Sequence, residues 1–316
     1  MRLLQLRLQP RSAWCTPWQA DTLSGMLCWA CARTRGADVL RREILEPAAA
    51  GRPRFVLSDA FPDRWLPVPA ALKLRKWPAD RRKQLKRARW ISKSAFSRFC
   101  ATGELSFDAL RLDDPMREVA RLRNTLDRIS DTTSGAGGSL FAANETILAE
   151  GGGLWVLARV EEGFEATLLE LFTELSNVGF GGDTSVGLGQ FELAGGLEPV
   201  EELGERIEGG NCSVVLSTFQ PAADDPTDGA WESFVKFGKL GPDFGLDNVF
   251  KRPLLALKPG ACLRTEQARD FVGRAVPMGE LLARPIADEV RARGAEILHL
   301  AFGLSIPARI DWEVSR

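Results

Sequence analysis

The chain of 316 residues contains no tyrosine and a single histidine, His299. One imidazole, set in the apolar run Glu296-Ile297-Leu298-His299-Leu300-Ala301-Phe302, supplies neither a nucleophile-base-acid triad nor a histidine-based RNA cleavage site from nearby residues. A core or surface histidine is the expectation. The six cysteines, Cys15, Cys28, Cys31, Cys100, Cys212 and Cys262, form no disulfide framework. Cys28 and Cys31 have redox-motif spacing, yet they lie in an apolar helical run and no second pair completes a zinc site, so buried thiols are expected. No segment approaches the roughly 18–20 apolar residues of a membrane span, and Met1-Arg2-Leu3-Leu4-Gln5-Leu6-Arg7 interrupts its apolar run with charge, unlike a secretory leader. A cytoplasmic chain without membrane contact is expected. A nucleotide phosphate loop, a nucleophile elbow and metal-ligand spacing are also missing. Asp131 and Asp183 fall in loop-like sequence, where a lone aspartate is usually a turn or cap residue. The expectation is therefore no enzyme, no catalytic residue, no metal and no cofactor.

What the chain does have is the stretch Gly179-Phe180-Gly181-Gly182-Asp183-Thr184-Ser185-Val186-Gly187-Leu188-Gly189-Gln190-Phe191-Glu192-Leu193. Its glycines, Gly179, Gly181, Gly182, Gly187 and Gly189, expose backbone N–H groups and permit positive φ, which suits a backbone that grips phosphates. A flexible connector between helix and strand is the alternative. The formal net charge of −1 conceals a second feature. Between Ala71 and Trp90 stand nine basic residues (Lys73, Arg75, Lys76, Arg81, Arg82, Lys83, Lys86, Arg87, Arg89) against Asp80 alone, a local charge of +8. Such a segment reads as a polyanion contact, or else as a solvated amphipathic helix. Trp14, Trp18, Trp77 and Trp90 lie beside loops and offer stacking surfaces for bases, unless they are core.

Taken in order, Leu4, Leu6 and Leu8 alternate with Gln5, Arg7 and Gln9 as in a half-buried strand. A helix capped by Asp21 or Thr22 should follow and end near Gly36. Phe55-Val56-Leu57 reads as a short strand, and the irregular residues of about 60–150 read as an insertion. Its Ser/Thr/Gly tract near 130–139 suits a projecting loop or hairpin. Leu154-Trp155-Val156-Leu157-Ala158-Arg159-Val160 is a strand, and Leu168, Leu171, Phe172 and Leu175 follow helical spacing. The glycine stretch and a strand at Phe191 and Leu193 complete a βαββαβ order. That order is ferredoxin-like (RRM-like), and many RNA-binding modules use the open face of such a sheet. An acidic, glycine-punctuated linker precedes a less clear repeat. It comprises a strand at Cys212–Phe219, a short helix after Asp228, strands at Pro253–Leu257 and Ala261–Leu263, a helix near 280–293 interrupted by Pro285, and a closing strand at 296–302. The predicted fold is thus α+β, with two ferredoxin-like domains at residues 1–200 and 205–316, the first carrying the insertion.

Three blocks carry a family resemblance: Thr16-Pro17-Trp18-Gln19-Ala20-Asp21-Thr22-Leu23-Ser24-Gly25; Ser58-Asp59-Ala60-Phe61-Pro62 with Leu66-Pro67-Val68-Pro69; and the glycine stretch. Asn124…Asp127-Arg128, Phe250-Lys251-Arg252-Pro253-Leu254-Leu255-Ala256-Leu257-Lys258-Pro259-Gly260 and Leu300-Ala301-Phe302-Gly303 add to them, in family order along the chain. The sequence resembles the fourth Csm proteins, the RAMP-superfamily subunits that cap the 5′ end of the guide RNA (crRNA) in type III-A CRISPR effector complexes. The resemblance implies a noncatalytic subunit of this antiviral ribonucleoprotein. Such a subunit holds the 5′ handle of the guide, docks the large polymerase-like signalling subunit and the first backbone RAMP subunit, and meets target RNA only indirectly. It would also make the insertion a thumb-like hairpin pressed into the guide. Together with the residue reading, it assigns RNA contact to Thr16, Pro17, Trp18, Gln19, Lys73, Arg75, Lys76, Arg81, Arg82, Asn124, Arg128, the five loop glycines with Asp183, Thr184 and Ser185, and Lys251, Arg252 and Lys258. The sequence departs from the family in two places. Met26 stands where histidine is frequent, and the C-terminal block around His299 lacks the family's tyrosines. The rival readings are a RAMP-type endoribonuclease that processes repeat RNA, and the equivalent capping subunit of another type III complex.

Overall fold

The leucine alternation at the N-terminus builds strand β1 (Arg2–Pro10), with Leu4, Leu6 and Leu8 buried and Arg7 facing solvent. The computed structural model of the protein describes the chain except for residues 126–132, 134–139, 201, 206, 242–245, 247–249 and 313–316. Helix α1 (Ala20–Arg35) ends at Gly36 as expected, where φ is 89°. Its start differs from expectation: the Ala20 amide donates to the Asp59 carboxylate at 2.8 Å, so a residue distant in sequence replaces the local caps Asp21 and Thr22. After strand β2 (Phe55–Leu57), residues 60–115 fold into short helices, including Ala70–Leu74, Ala79–Arg87 and Lys93–Thr102. These pack around a small sheet of Trp65–Pro67, Trp90–Ser92 and Leu110–Arg111.

Strands β3 (Met116–Asn124) and β4 (Leu140–Leu148) form an antiparallel hairpin, paired from Met116↔Leu148 to Asn124↔Leu140. Most of its residues are exposed, as expected of a projecting hairpin. Its tip, with Arg128 and most of the Ser/Thr/Gly tract, lies outside the described residues. Strand β5 (Leu154–Val160), helix α2 (Glu165–Val178) and strand β6 (Phe191–Leu193) complete the first half. The sheet runs β6-β1-β5-β2 with every neighbour antiparallel, which is the ferredoxin-like order. Helices α1 and α2 lie side by side, joined at the surface by an Arg35–Glu170 ion pair.

The second half is less regular than a repeated copy. Strand β7 (Cys212–Val215) is succeeded by β8 (Ser233–Lys236), which pairs β9 (Leu254–Leu257), so the run after Asp228 forms a ribbon where a short helix was expected. Strands β10 (Ala261–Arg264) and β11 (Phe271–Pro277), helix α3 (Arg284–Ala292) and strand β12 (Leu298–Ala308) complete the chain. Pro285 sits in the first turn of α3, where proline's missing N–H costs nothing, so it starts a helix rather than interrupting one. The main path of this sheet is β10-β7-β12-β11. It is antiparallel, but among the described residues no helix joins β7 to β10, and the neighbours of β7 differ from those of β1.

The two sheets share one apolar core, which runs from Leu6, Leu27 and Trp155 to Leu216, Phe302 and Ile306. A buried polar seam crosses it. The Asp59 carboxylate accepts from the amides of Ala20 and Thr218 (2.6 Å for the latter) and from the Thr218 hydroxyl at 2.8 Å, while the Ser217 hydroxyl donates to the Leu57 carbonyl at 2.6 Å. Burial pushes the Asp59 carboxyl up to about 6, against the pull of these donors.

Candidate nucleic-acid interface

The glycine-rich loop is an ordered, self-braced structure. Phe180 is fully buried and stacks on Trp18, ring centroids 3.9 Å apart and planes within 13°. On either side of it, the Phe180 amide donates to the Gly189 carbonyl (2.8 Å) and the Gly189 amide to the Ala13 carbonyl (2.7 Å). Gly189 has φ +68°, and a Cβ there would stand 1.9 Å from the Phe180 carbonyl oxygen. A Cβ on Gly181 would meet the Thr16 Cβ at 2.5 Å. Gly189 thus lets a second backbone approach, and Gly181 makes room for the Thr16 side chain. The Thr16 hydroxyl accepts from the Gly182 amide at 2.9 Å, and the Gly181 amide points at Met26 Sδ, 3.1 Å away.

This bracing revises the role expected of the loop. The amides of Gly179, Gly181, Gly182, Gly187 and Gly189 are spent on the protein itself, bonded to Leu175, Met26, Thr16, Thr184 and Ala13 respectively. What remains is a short turn, Thr184–Val186, entered by Asp183 in the left-handed region (φ 59°). Among the described residues, the amides of Asp183, Thr184 and Ser185 and the hydroxyls of Thr184 and Ser185 carry no hydrogen bond. Asp183 and Ser185 are exposed. Three successive free N–H groups at the mouth of a turn form a small anion-binding concavity. Thr16 braces this loop, and Pro17 beside it is exposed.

The hairpin brings a further donor, Arg123, to the same place. Trp14 pairs with Thr146 of β4, fixing the hairpin base beside residues 13–16. By strand alternation Arg117, Arg121 and Arg123 share one face of β3. Arg123 reaches the loop, its Nη1 3.3 Å from Asp183 Oδ2. Its Nη2 donates to Glu145 Oε1 at 2.6 Å, and Arg121 Nε lies 3.1 Å from Glu145 Oε2. Glu145 is buried, 1% exposed. Its hydrogen bond raises the Arg123 pKa further. These three arginines were missed from sequence, although the period-two spacing of 117, 121 and 123 in a strand was available to find them. Asn124 is exposed on the opposite face of the hairpin.

The other predicted residues are dispersed. Trp14, Trp18 and Trp90 are buried, and Trp77 is half-buried and donates to the Leu72 carbonyl, so none presents a free ring for a base. In an apolar-rich chain, large aromatics beside loops filled the core. Arg75 turns inward, donates to the Gly103 carbonyl at 2.8 Å and lies over Phe99; burial lowers its pKa. Lys73 and Lys258 both pair with Glu232. Arg81 lies over Phe107 and near Asp80, whereas exposed Lys76, Arg82, Lys83, Lys86 and Arg87 have no ion-pair partner among the described residues. The helix Ala79–Arg87 therefore keeps an uncompensated basic face. Arg252 is exposed, and burial lowers the Lys251 pKa.

His299 belongs to a buried node. Its Nε2 donates to Asp21 Oδ2 at 3.0 Å, and Lys236 Nζ bridges Asp21 Oδ1 (2.6 Å), Gln19 Oε1 (2.7 Å) and Thr22 Oγ1 (3.0 Å). Burial pushes the Asp21 carboxyl up, but the His299 hydrogen bond and the Lys236 charge outweigh it and hold the group ionised. Burial lowers the His299 pKa, against the pull of the Asp21 carboxylate. Gln19 thus ties the two halves together. Among the described residues no cluster of His, Cys, Asp and Glu could hold a metal, and no helix is long and apolar enough to cross a membrane.

A βαββαβ sheet with an antiparallel hairpin insertion and a glycine loop between its last helix and strand defines a RAMP-type protein. Residues 19–192 match the model of the RAMP superfamily, and the chain belongs to that superfamily. Over nearly its full length the fold is similar to solved structures. A chain of a Csm1-Csm4 cassette in complex with pppApA aligns with a TM-score of 0.62 at 16% identity, 98% of both chains being covered. A chain of the Csm3-Csm4 subcomplex of a type III-A CRISPR-Cas interference complex aligns with a TM-score of 0.63 at 14% identity, covering 97% of this chain and 99% of the other. No curated protein matches the sequence.

Proposed function

We propose that the chain is the noncatalytic subunit that holds the 5′ handle of the guide RNA in a type III-A CRISPR complex. The observation that carries this reading is the convergence of Arg123 of the hairpin and the free 183–185 amides on one exposed spot. Arginine forks and backbone N–H groups are the usual partners of phosphate oxygens. The exposed cations of Ala79–Arg87 would add a salt-dependent contact. Csm4 is the component common to the two similar assemblies, in which it is found with Csm1 and with Csm3. This supports the corresponding partners for this chain: a large signalling subunit and a backbone RAMP subunit, in the cytoplasm, with target RNA met only through them. A noncatalytic role is supported by the one histidine, which is spent on Asp21 inside the core.

Expression with a repeat-spacer array tests the proposal. The purified chain with its complex should carry guide RNA, and Arg121→Ala with Arg123→Ala should release it at lower salt than wild type. Guide retention unchanged by the double variant would refute the site. Specific cleavage of repeat RNA by the purified chain alone would overturn the noncatalytic role.

A further inference from the structure

Arg123 is gripped by two carboxylates in unlike settings. Glu145, on the same hairpin, is 1% exposed and holds Nη2 at 2.6 Å, while Asp183, on the glycine loop, is half-exposed and stands off Nη1 at 3.3 Å. A buried carboxylate that hydrogen-bonds one arginine and ion-pairs with a second is expensive to disturb. An exposed one at 3.3 Å is a weak, screened partner that solvent or another anion can replace. Asp183 also enters the turn of the free 183–185 amides, but its carboxylate makes no hydrogen bond to them and faces Arg123 instead.

We infer that Arg123 is a phosphate clamp in which Glu145 sets the guanidinium and the Asp183 carboxylate stands in for an RNA backbone phosphate until RNA displaces it. The inference rests on the RNA-holding reading above and adds its phosphate subsite. Glu145 is a positioning residue: with Nη2 and the Arg121 Nε fixed, the Nη1 side of Arg123 is aimed at the loop before RNA arrives. When a phosphate enters, its oxygens accept from Arg123 and from the amides of Thr184 and Ser185, and Asp183 swings into solvent.

Two substitutions that change net charge identically should then act in opposite directions. Asp183→Asn and Glu145→Gln each remove one negative charge, so a purely electrostatic surface predicts tighter RNA binding for both. The clamp predicts tighter binding for Asp183→Asn, by several-fold, because the competing carboxylate is gone. Asparagine tolerates the left-handed backbone at that position. For Glu145→Gln it predicts binding about tenfold weaker, the loss of one charge-assisted hydrogen bond, with Glu145→Asp recovering part of it. The measurement is fluorescence anisotropy of the full chain with a labelled single-stranded oligouridylate across a salt series. Thermal melts of each variant accompany it. Asp183 is exposed, so its variant remains informative even if the Glu145 variants fail to fold. Both variants tightening, or Asp183→Asn weakening, refutes the clamp and leaves the RNA reading standing. A wild-type chain that binds no RNA removes the RNA reading and the clamp with it.

Discussion

Asp59 joins the two halves, and the geometry predicts opposite outcomes for its two natural replacements. Its Oδ1 accepts from both the Ala20 and Thr218 amides, and its Oδ2 from the Thr218 hydroxyl. In Asp59→Ala all of these donors stay buried without a partner, at about 1–3 kcal/mol each. With some relief by water, the loss should be about 3–5 kcal/mol, a large part of the 5–15 kcal/mol that stabilises a typical domain. In Asp59→Asn the amide oxygen can take the Oδ1 position and keep both backbone donors, while its NH2 group faces a hydroxyl able to accept. That variant should fold as well as wild type or better. Burial raises the Asp59 pKa from 3.8 to about 6, so the folded state holds the proton more tightly than the unfolded state. The stabilisation from protonation is therefore fully present below pH 3.8 and lost as pH rises to about 6, amounting to about 2–3 kcal/mol. Asp59→Asn removes that penalty. Urea unfolding of both proteins from pH 4 to pH 7.5 checks it: the asparagine variant should gain on wild type as pH rises and converge with it near pH 4. A variant less stable than wild type at neutral pH, with a gap independent of pH, would refute the reasoning.

Gly189→Ala should cost at least about 2 kcal/mol, since a left-handed alanine alone costs about 1–2 and the new Cβ overlaps the Phe180 carbonyl; a thermal melt with tryptophan fluorescence should show the Trp18–Phe180 stack loosening. His299→Gln should flatten the acid sensitivity of folding. The lowered His299 pKa gives stability that is present above about 6.5 and lost as pH falls below it, so wild type should lose more stability than the variant between pH 7 and pH 5. Charge reversal of Arg82 and Lys83 should lower the salt slope of RNA binding by about one unit for each phosphate that the helix no longer neutralises; an unchanged slope assigns that helix face to a protein neighbour.

The parts of the fold that were legible in the sequence are those governed by local periodicity. The alternation of Leu4, Leu6 and Leu8 and the helical stripe of Leu168, Leu171, Phe172 and Leu175 both appear as read, and with the strands around them they yield the sheet order of the first half. The cap of α1 was not legible, because Asp59 provides it from 39 positions away. Nor was the fate of the tryptophans: Trp18 reads as a loop residue, and only the folding of the glycine loop over it, through Phe180, makes it core.

The same stacking explains why glycine content alone does not locate the free amides. The loop needs Gly189 for close approach to the Phe180 backbone and Gly181 for room beside the Thr16 side chain, and closing consumes the amides those glycines expose. The N–H groups left for a ligand belong to Asp183, Thr184 and Ser185, the residues between the glycines. Their value depends on Arg123, which reaches them from a hairpin 60 positions away and whose charge is shared with a buried glutamate. A motif scan sees a phosphate loop without a lysine. The structure places a cation beside the loop from a distant strand of the same chain, on the face that carries Arg117, Arg121 and Arg123.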